Sequence, residues 1–430
     1  MRKYITLFFV VFGAMAHAQN PAPAKMPQGR ILILNGTAHL GNGMMIPNSA
    51  IAFENGKLTL VADARTIKIN RDAYSKIIDA SGKQVYPGFI DCNSGLGLTE
   101  IDMVRSTNDN NEVGELNPNV RSIIAYNTDS KIPPTVRSNG VLLEQIVPNG
   151  GIISGQSSIV QLDAWNWEDA AYKTDDGIHV NWPRMYISRY PKADPEDVQR
   201  QKMTKALNDL DLFFGEAKAY CQNSAPAEKN LKLEAMRGLF DGKKNLYVHC
   251  DYVREMVSAI DFAKKYSLKL VIVGGADSYL ITDLLRDNHV SIILGRTHSL
   301  PSREDDDVAL PFKLPSILQK AGVMYTMSIE SSWQSRNLGF MAGTGAGFGL
   351  TQEEAIKAIT LNAATILGID STAGSLETGK DATFFISSGD ALDMRTQNVE
   401  SAYICGREID LDDVQKQLYR KYLTKYNLKP

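Results

Sequence analysis

Short apolar or alternating runs mark both ends of this chain, and longer helix-period stripes mark the stretch between them. Arg30 to Leu34, Ser49 to Glu54 and Leu58 to Asp63 read as strands, with Asn55-Gly56 as the hairpin turn between the last two. Ala382 to Ser387 and Val399 to Cys405, followed by Gly406, repeat that pattern near the C-terminus, so a small sandwich built from both ends is expected. Val85 to Leu98 reads as an apolar strand in its first half and a small-residue loop in its last, and Val141 to Val147 and Ser157 to Leu162 read as further strands. From Leu246 the pattern alternates regularly. Leu246 to Cys250, Leu268 to Val273, Val290 to Leu294 and Met324 to Ile329 read as strands, with helices over Val253 to Tyr266 and Tyr279 to Asp287. Such alternation predicts a parallel sheet with helices outside.

Asp194 to Lys243 is predicted to be helical, with Met203, Ala206, Leu207, Leu210, Phe213 and Phe214 as a core-facing stripe and a break at Asn223 to Pro226. Thr351-Gln352-Glu353-Glu354 is a capping box for a helix whose stripe runs from Ala355 to Leu367 and stops at Gly368. Thr99 to Asn139 lacks strong periodicity and is rich in Asn, Asp and Pro, as expected of a long excursion over a barrel mouth with one helical stretch. Trp165, Trp167 and Trp182 fall close together; packing accounts for such a cluster more readily than a ligand-stacking surface. Gly343 to Gly349 lacks phosphate-loop spacing and reads as flexible, closely packed backbone.

Composition changes this picture little. With 430 residues, 43% hydrophobic and 22% charged, the chain has room for a barrel of about 250 residues and a satellite domain. A net charge of -3 without long basic runs leaves no footprint for nucleic acid. Arg2 and Lys3, the apolar run Ile5 to Ala14 and Ala16-His17-Ala18 form a secretory signal peptide pattern, cut near Ala18, which implies a secreted or periplasmic protein. No later run is long enough to span a membrane. Cys92, Cys221, Cys250 and Cys405 are too scattered for a disulfide scaffold and are expected as free thiols.

Two motifs frame the middle of the chain. Pro87-Gly88-Phe89-Ile90-Asp91 opens one apolar strand, and Gly374-Ser375-Leu376-Glu377-Thr378-Gly379-Lys380-Asp381-Ala382 leads back towards the last strands. Together they resemble the amidohydrolase superfamily, in its secreted, imidazolonepropionase-like branch. The resemblance implies an α/β fold: a distorted TIM (β/α)8 barrel over residues 86–370, with a composite β-sandwich from 19–85 and 371–430 behind a signal peptide at 1–18. It also implies hydrolysis of non-peptide or small peptide-like carbon-nitrogen bonds at one or two metal ions, held by His-x-His on the first strand, often a carboxylated lysine on the fourth, histidines on the fifth and sixth, and an aspartate on the eighth.

Carried over residue by residue, this ligand set is depleted. Asn93 and Gly95 stand in place of His-x-His, and Gly274 or Gly275 in place of the sixth-strand histidine. No fourth-strand lysine can be assigned. His249 keeps the fifth-strand position and Glu330 stands at or next to the aspartate. His298, after the seventh strand, is the candidate replacement, so a rebuilt site of His249, His298 and Glu330 would hold one divalent ion, Zn or Mn. In that reading Glu330 and His298 are the catalytic candidates; the other reading of His249 and His298 is a hydrogen-bonded relic and a loop anchor, with no metal at all. Arg296, Arg303, Glu304 and Asp305-Asp306-Asp307 make a rim of both signs that suits a zwitterionic substrate, although such runs are commonly solvated faces. The expected substrates are small amides, lactams or dipeptide-like molecules. The alternative is a catalytically silent homologue that binds a ligand or pairs with a complete amidohydrolase, and a homo-oligomer is the other partner expectation.

Overall fold

The computed structural model describes residues 22–428 except Ala225, Ala227 and Ser302; the signal segment predicted at 1–18 lies outside the described residues. Eight strands form the central sheet in sequence order: Phe89–Ser94, Val141–Ile146, Ile153–Gln161, Ala171–Asn181, Asn245–Cys250, Leu270–Gly274, Ser291–Leu294 and Tyr325–Met327. Neighbours are parallel except at the third strand, which runs against both the second and the fourth. Loop length explains the exception: residues 147–152 between the second and third strands are too few for a crossover helix, so the chain returns as a hairpin.

The eighth strand is only three residues long, and side-chain chemistry helps to close the sheet. Asp91 Oδ1 accepts the Ile329 backbone N–H at 2.9 Å, and the Glu330 carbonyl accepts the Gly95 N–H at 3.2 Å. Strand alternation sorts the remaining side chains. Ile90, Cys92, Leu143, Tyr247, Val271, Val273 and Ile293 form one cluster, plugged by Ala363, Ile366 and Leu367 from the helix Leu361–Leu367. Phe89, Leu142, Ile146, Val248, Ile272 and Met327 pack outward against the surrounding helices.

Glu144 is directly opposite Asp91 in the register and shares its outward face. Both are fully buried, and neither Glu144 oxygen has a protein hydrogen-bond partner. Burial pushes both carboxyls up from their ordinary range, and the Asp91 charge adds to the rise at Glu144.

The chain ends supply two further sheets. One orders Lys57–Asp63, Ser49–Glu54, Ile31–Leu34 and Lys76–Asp79; the other orders Arg407–Glu408, Val399–Ile404, Phe384–Ser387, Gln84–Pro87, Thr37–His39 and Met45–Ile46. They share a core in which Phe384 stacks on Tyr403 at 4.7 Å, with Phe53 edge-on to both.

Three elements differ from the sequence expectation. The strand Ala171–Asn181 was not foreseen, because its first half is polar and Asp175 at φ 53° interrupts the alternation. Gly343 to Gly347 belongs to the helix Leu338–Gly347 rather than to a flexible loop, and its close packing is real: a Cβ on Gly343 would meet the Leu392 carbonyl oxygen at 2.1 Å. The C-terminal tail contains a further helix, Val414–Tyr426. The expected helix over 194–243 is observed as Glu196–Cys221, Leu231–Ala235 and Arg237–Phe240, and the one capped at Thr351 as Gln352–Ala358 and Leu361–Leu367. All four cysteines are free thiols.

Replacing Asp91 with Ala strands a buried N–H at the seam and should lower the unfolding free energy by about 1–3 kcal/mol, whereas Asn, which keeps an oxygen, should cost less. Denaturant titration of the two variants measures this. Glu144 adds a pH dependence whose sign follows from its raised pKa. Its contribution is present below the ordinary glutamate range and is lost as pH rises, because the unfolded chain releases the proton first. Glu144→Gln should therefore match wild type near pH 4 and gain on it by up to about 1.4 kcal/mol per pH unit above that. Melting curves of both proteins across the range check the sign.

Candidate functional site

The C-terminal ends of the barrel strands surround an open cavity of about 880 Å³, the end at which barrel enzymes place their chemistry. Asn93 and Gly95 reach it from the first strand, Asn181 from the fourth, His249 and Asp251 from the fifth, Gly274 from the sixth, Arg296 from the seventh and Glu330 from the eighth. Thr99 and Asp102 enter from the long excursion after the first strand. Trp182, Arg184 and Tyr186 add a wall after the fourth strand, held by Glu255, whose carboxylate accepts the Met185 and Tyr252 backbone N–H groups.

Below the cavity the barrel is filled by a connected polar network. Asp176, buried between the strands, accepts hydrogen bonds from Gln145 Nε2 at 2.9 Å, Ser157 Oγ at 2.6 Å and Tyr247 OH at 2.6 Å. Gln145 Oε1 in turn accepts the Asn93 backbone N–H at 3.2 Å. Asn93 sits in the left-handed region at φ 56°, inside a register shift of its strand; Asn adopts this conformation more readily than most residues. His179 is fully buried and stacks on the Tyr247 ring at 4.6 Å. Its Nδ1 lies 2.8 Å from His249 Nε2, so one ring donates to the other. Burial pulls the His249 pKa down to about 4 and pushes His179 well below its usual value, with each held neutral.

His298 is not part of this constellation. Its Nε2 is 2.8 Å from Thr344 Oγ1 and its ring lies edge-on to Phe312, so it ties its loop to the neighbouring helices. Arg303 of the charged run is likewise engaged, forked onto both Asp277 oxygens at 2.8 and 2.6 Å. Arg184 and Arg296 have no carboxylate partner among the described residues. Asp251 lies in the cavity floor, where burial raises its carboxyl pKa. The three tryptophans do not form one surface: Trp182 faces the cavity and packs edge-on to Phe262, while Trp165 is exposed beside a different pocket.

Comparison with known proteins agrees with this architecture. A family model described as the amidohydrolase family matches residues 316–409. Imidazolonepropionase of Picrophilus torridus is 23% identical over 381 residues, which cover 80% of this chain and 87% of that protein. An amidohydrolase from Thermotoga maritima shares the fold with a TM-score of 0.76 at 23% identity, over 88% of this chain and 99% of its own. Molinate hydrolase has the fold at a TM-score of 0.53 and 14% identity, over 89% and 95% of the two chains. The chain is thus similar to the amidohydrolase family over residues 316–409 and shares the fold of these amidohydrolases.

The positions that the sequence resemblance assigns to metal ligands carry other side chains here. The fourth-strand residue in register with His249 is Asn181, whose amide donates to the Gly151 carbonyl and Ser154 hydroxyl rather than supplying a lysine amine. At Gly274 the backbone has φ 101°, and a Cβ would come within 2.6 Å of Asp251 Oδ1. The Asp251 carboxylate therefore occupies space that a sixth-strand histidine would need. Gly95 is different, since a Cβ there would meet nothing closer than the Glu330 carbonyl oxygen at 4.0 Å. Among the described residues no three His, Cys, Asp or Glu side chains converge as metal ligands. The donor set does not fit the family's metal centre. Sequence reasoning placed His249 and Glu330 on one cavity but missed His179, Asp176 and Asp251; the polar residues embedded in the strand Ala171–Asn181 were the available signal.

The contrast between the two glycines is measurable. Gly274→Ala should cost about 1–3 kcal/mol of stability through backbone strain and the Asp251 contact. Gly95→Ala should stay within about 0.5 kcal/mol of wild type. Thermal and denaturant melts of both variants check the pair.

Proposed function

We propose that this amidohydrolase-superfamily chain uses its barrel-mouth cavity to bind a small zwitterionic, amide-containing molecule of the dipeptide or lactam class, and does so without the family's metal ion. The observation that carries this reading is the His179–His249 pair. The one histidine kept at a ligand position of the family is bonded at Nε2 to another imidazole, while Asn, Gly and Gly stand at the positions that should complete a metal site. The rim supports a charged but neutral-overall ligand, because the unpaired Arg184 and Arg296 face the same space as Asp251 and Glu330. Such a ligand's carboxylate would meet a guanidinium, and its ammonium a carboxylate.

Asp251 supports a second reading, in which a metal-free site hydrolyses the carbon-nitrogen bond of the bound ligand. Its pKa is raised by burial in the cavity floor, which moves a carboxyl towards the range useful for general-base work.

Elemental analysis after incubation with Zn²⁺ or Mn²⁺, followed by calorimetric titration with a dipeptide and lactam series, tests both readings. The expected result is far less than one ion per chain, with ligand binding that weakens about tenfold in Arg296→Ala, or about 1.4 kcal/mol. One tightly held ion per chain, lost in His249→Ala and Glu330→Ala, would overturn the metal-free site. Turnover without added metal that disappears in Asp251→Asn would establish the second reading over simple binding.

A further inference from the structure

The helix Val414–Tyr426 is anchored to the rest of the chain at its start. Ser138 Oγ donates to Asp413 Oδ2 at 2.8 Å, Thr135 Oγ1 donates to Gln415 Oε1 at 2.7 Å, and Asp413 caps the first turn by accepting the Lys416 N–H. Beyond that turn the helix runs out into solvent, and none of its residues is buried. A helix of this length is marginal in water unless its face is packed against something.

That face has a definite chemistry. Leu418, Tyr422 and Tyr426 recur at helical spacing and are exposed, with Tyr419 exposed beside them. Cations flank the stripe. Lys425 Nζ lies over the Tyr422 and Tyr426 rings at 5.8 and 5.1 Å. The segment from Val414 to the end of the chain carries five Lys or Arg and no Asp or Glu, although the whole chain has a net charge of -3. Arg420 is paired to Asp412 and Lys416 to Asp413, whereas Lys421 and Lys425 have no carboxylate partner among the described residues.

We propose that this helix docks on an anionic phospholipid surface, with the Leu418/Tyr422/Tyr426 stripe in the headgroup layer and Lys421 and Lys425 reaching the phosphates. Tyrosine and leucine flanked by lysine is the composition that suits a bilayer interface, where the ring body is apolar and the hydroxyl stays wet. A second copy of the same helix fits less well, because pairing the stripes would bring like charges together. The N-terminal side of the described chain lies on the same face: Ala22 and Pro23 line the pocket that Asp412, Asp413 and Val414 also line.

Co-sedimentation with vesicles tests the proposal, using the chain from Gln19 onward so that the N-terminal apolar run takes no part. Binding to phosphatidylglycerol-containing vesicles is expected to exceed binding to pure phosphatidylcholine by about tenfold or more, and to fall as salt is raised to about 0.5 M. The double variants Tyr422→Ser/Tyr426→Ser and Lys421→Glu/Lys425→Glu should each reduce it about tenfold. Their melting temperatures should equal wild type, because the replaced side chains are exposed. Equal binding to neutral and anionic vesicles, or binding indifferent to both variants, would overturn the proposal. So would a concentration-dependent dimer that both variants dissolve and that ignores vesicles, which would give the stripe to a second copy.

Discussion

The seam between the first and last barrel strands depends on one buried carboxylate. Asp91 Oδ1 accepts the Ile329 N–H and so joins two ends of the sheet that lie far apart in sequence, where the eighth strand is too short to do this by ladder alone. The rim of the site follows from that closure. Asn93 and Gly95, just beyond Asp91, are brought against Glu330, just beyond Ile329, and the Gly95 N–H on the Glu330 carbonyl completes the join. Asp91 is thus a structural part of the Pro-Gly-Phe-Ile-Asp motif.

The barrel interior changes from apolar to polar towards the cavity. A core of Ile, Val and Leu at its base gives way to Asp176 with its three donors, then to Tyr247, His179 and His249 stacked and bonded towards the cavity. Each buried polar group in this column is tied to the next, which fixes the His249 ring from below. The absence of a side chain at Gly274 and the position of Asp251 depend on each other, since a Cβ there and the Asp251 carboxylate cannot fill the same volume.

Both ends of the molecule serve surfaces away from this cavity. The composite sheets close over Phe53, Phe384 and Tyr403 and finish the fold, whereas the helix that follows them buries none of its residues. Leu418, Tyr419, Tyr422 and Tyr426 of that helix are exposed beside Lys421 and Lys425.

The sequence by itself determined the fold class, because strand and helix periods are local and the two framing motifs carry their own turn and capping residues. The identities of Asn93, Gly95 and Gly274 are read directly as well, and none is an imidazole or carboxylate. The helix Val253–Tyr266 was legible to the residue, as its amphipathic stripe is regular. The strand Ala171–Asn181 was not legible, because its polar residues point into a barrel whose interior is itself polar, and alternation then carries no contrast. Only the tertiary structure decided which histidines meet. His179 and His249 are 70 positions apart, and register between parallel strands puts their rings in contact, while the equally promising His298 is turned away to Thr344. Residue type is a property of the chain, but the distance between two side chains on different strands is set by sheet register and closure, and no local pattern encodes it.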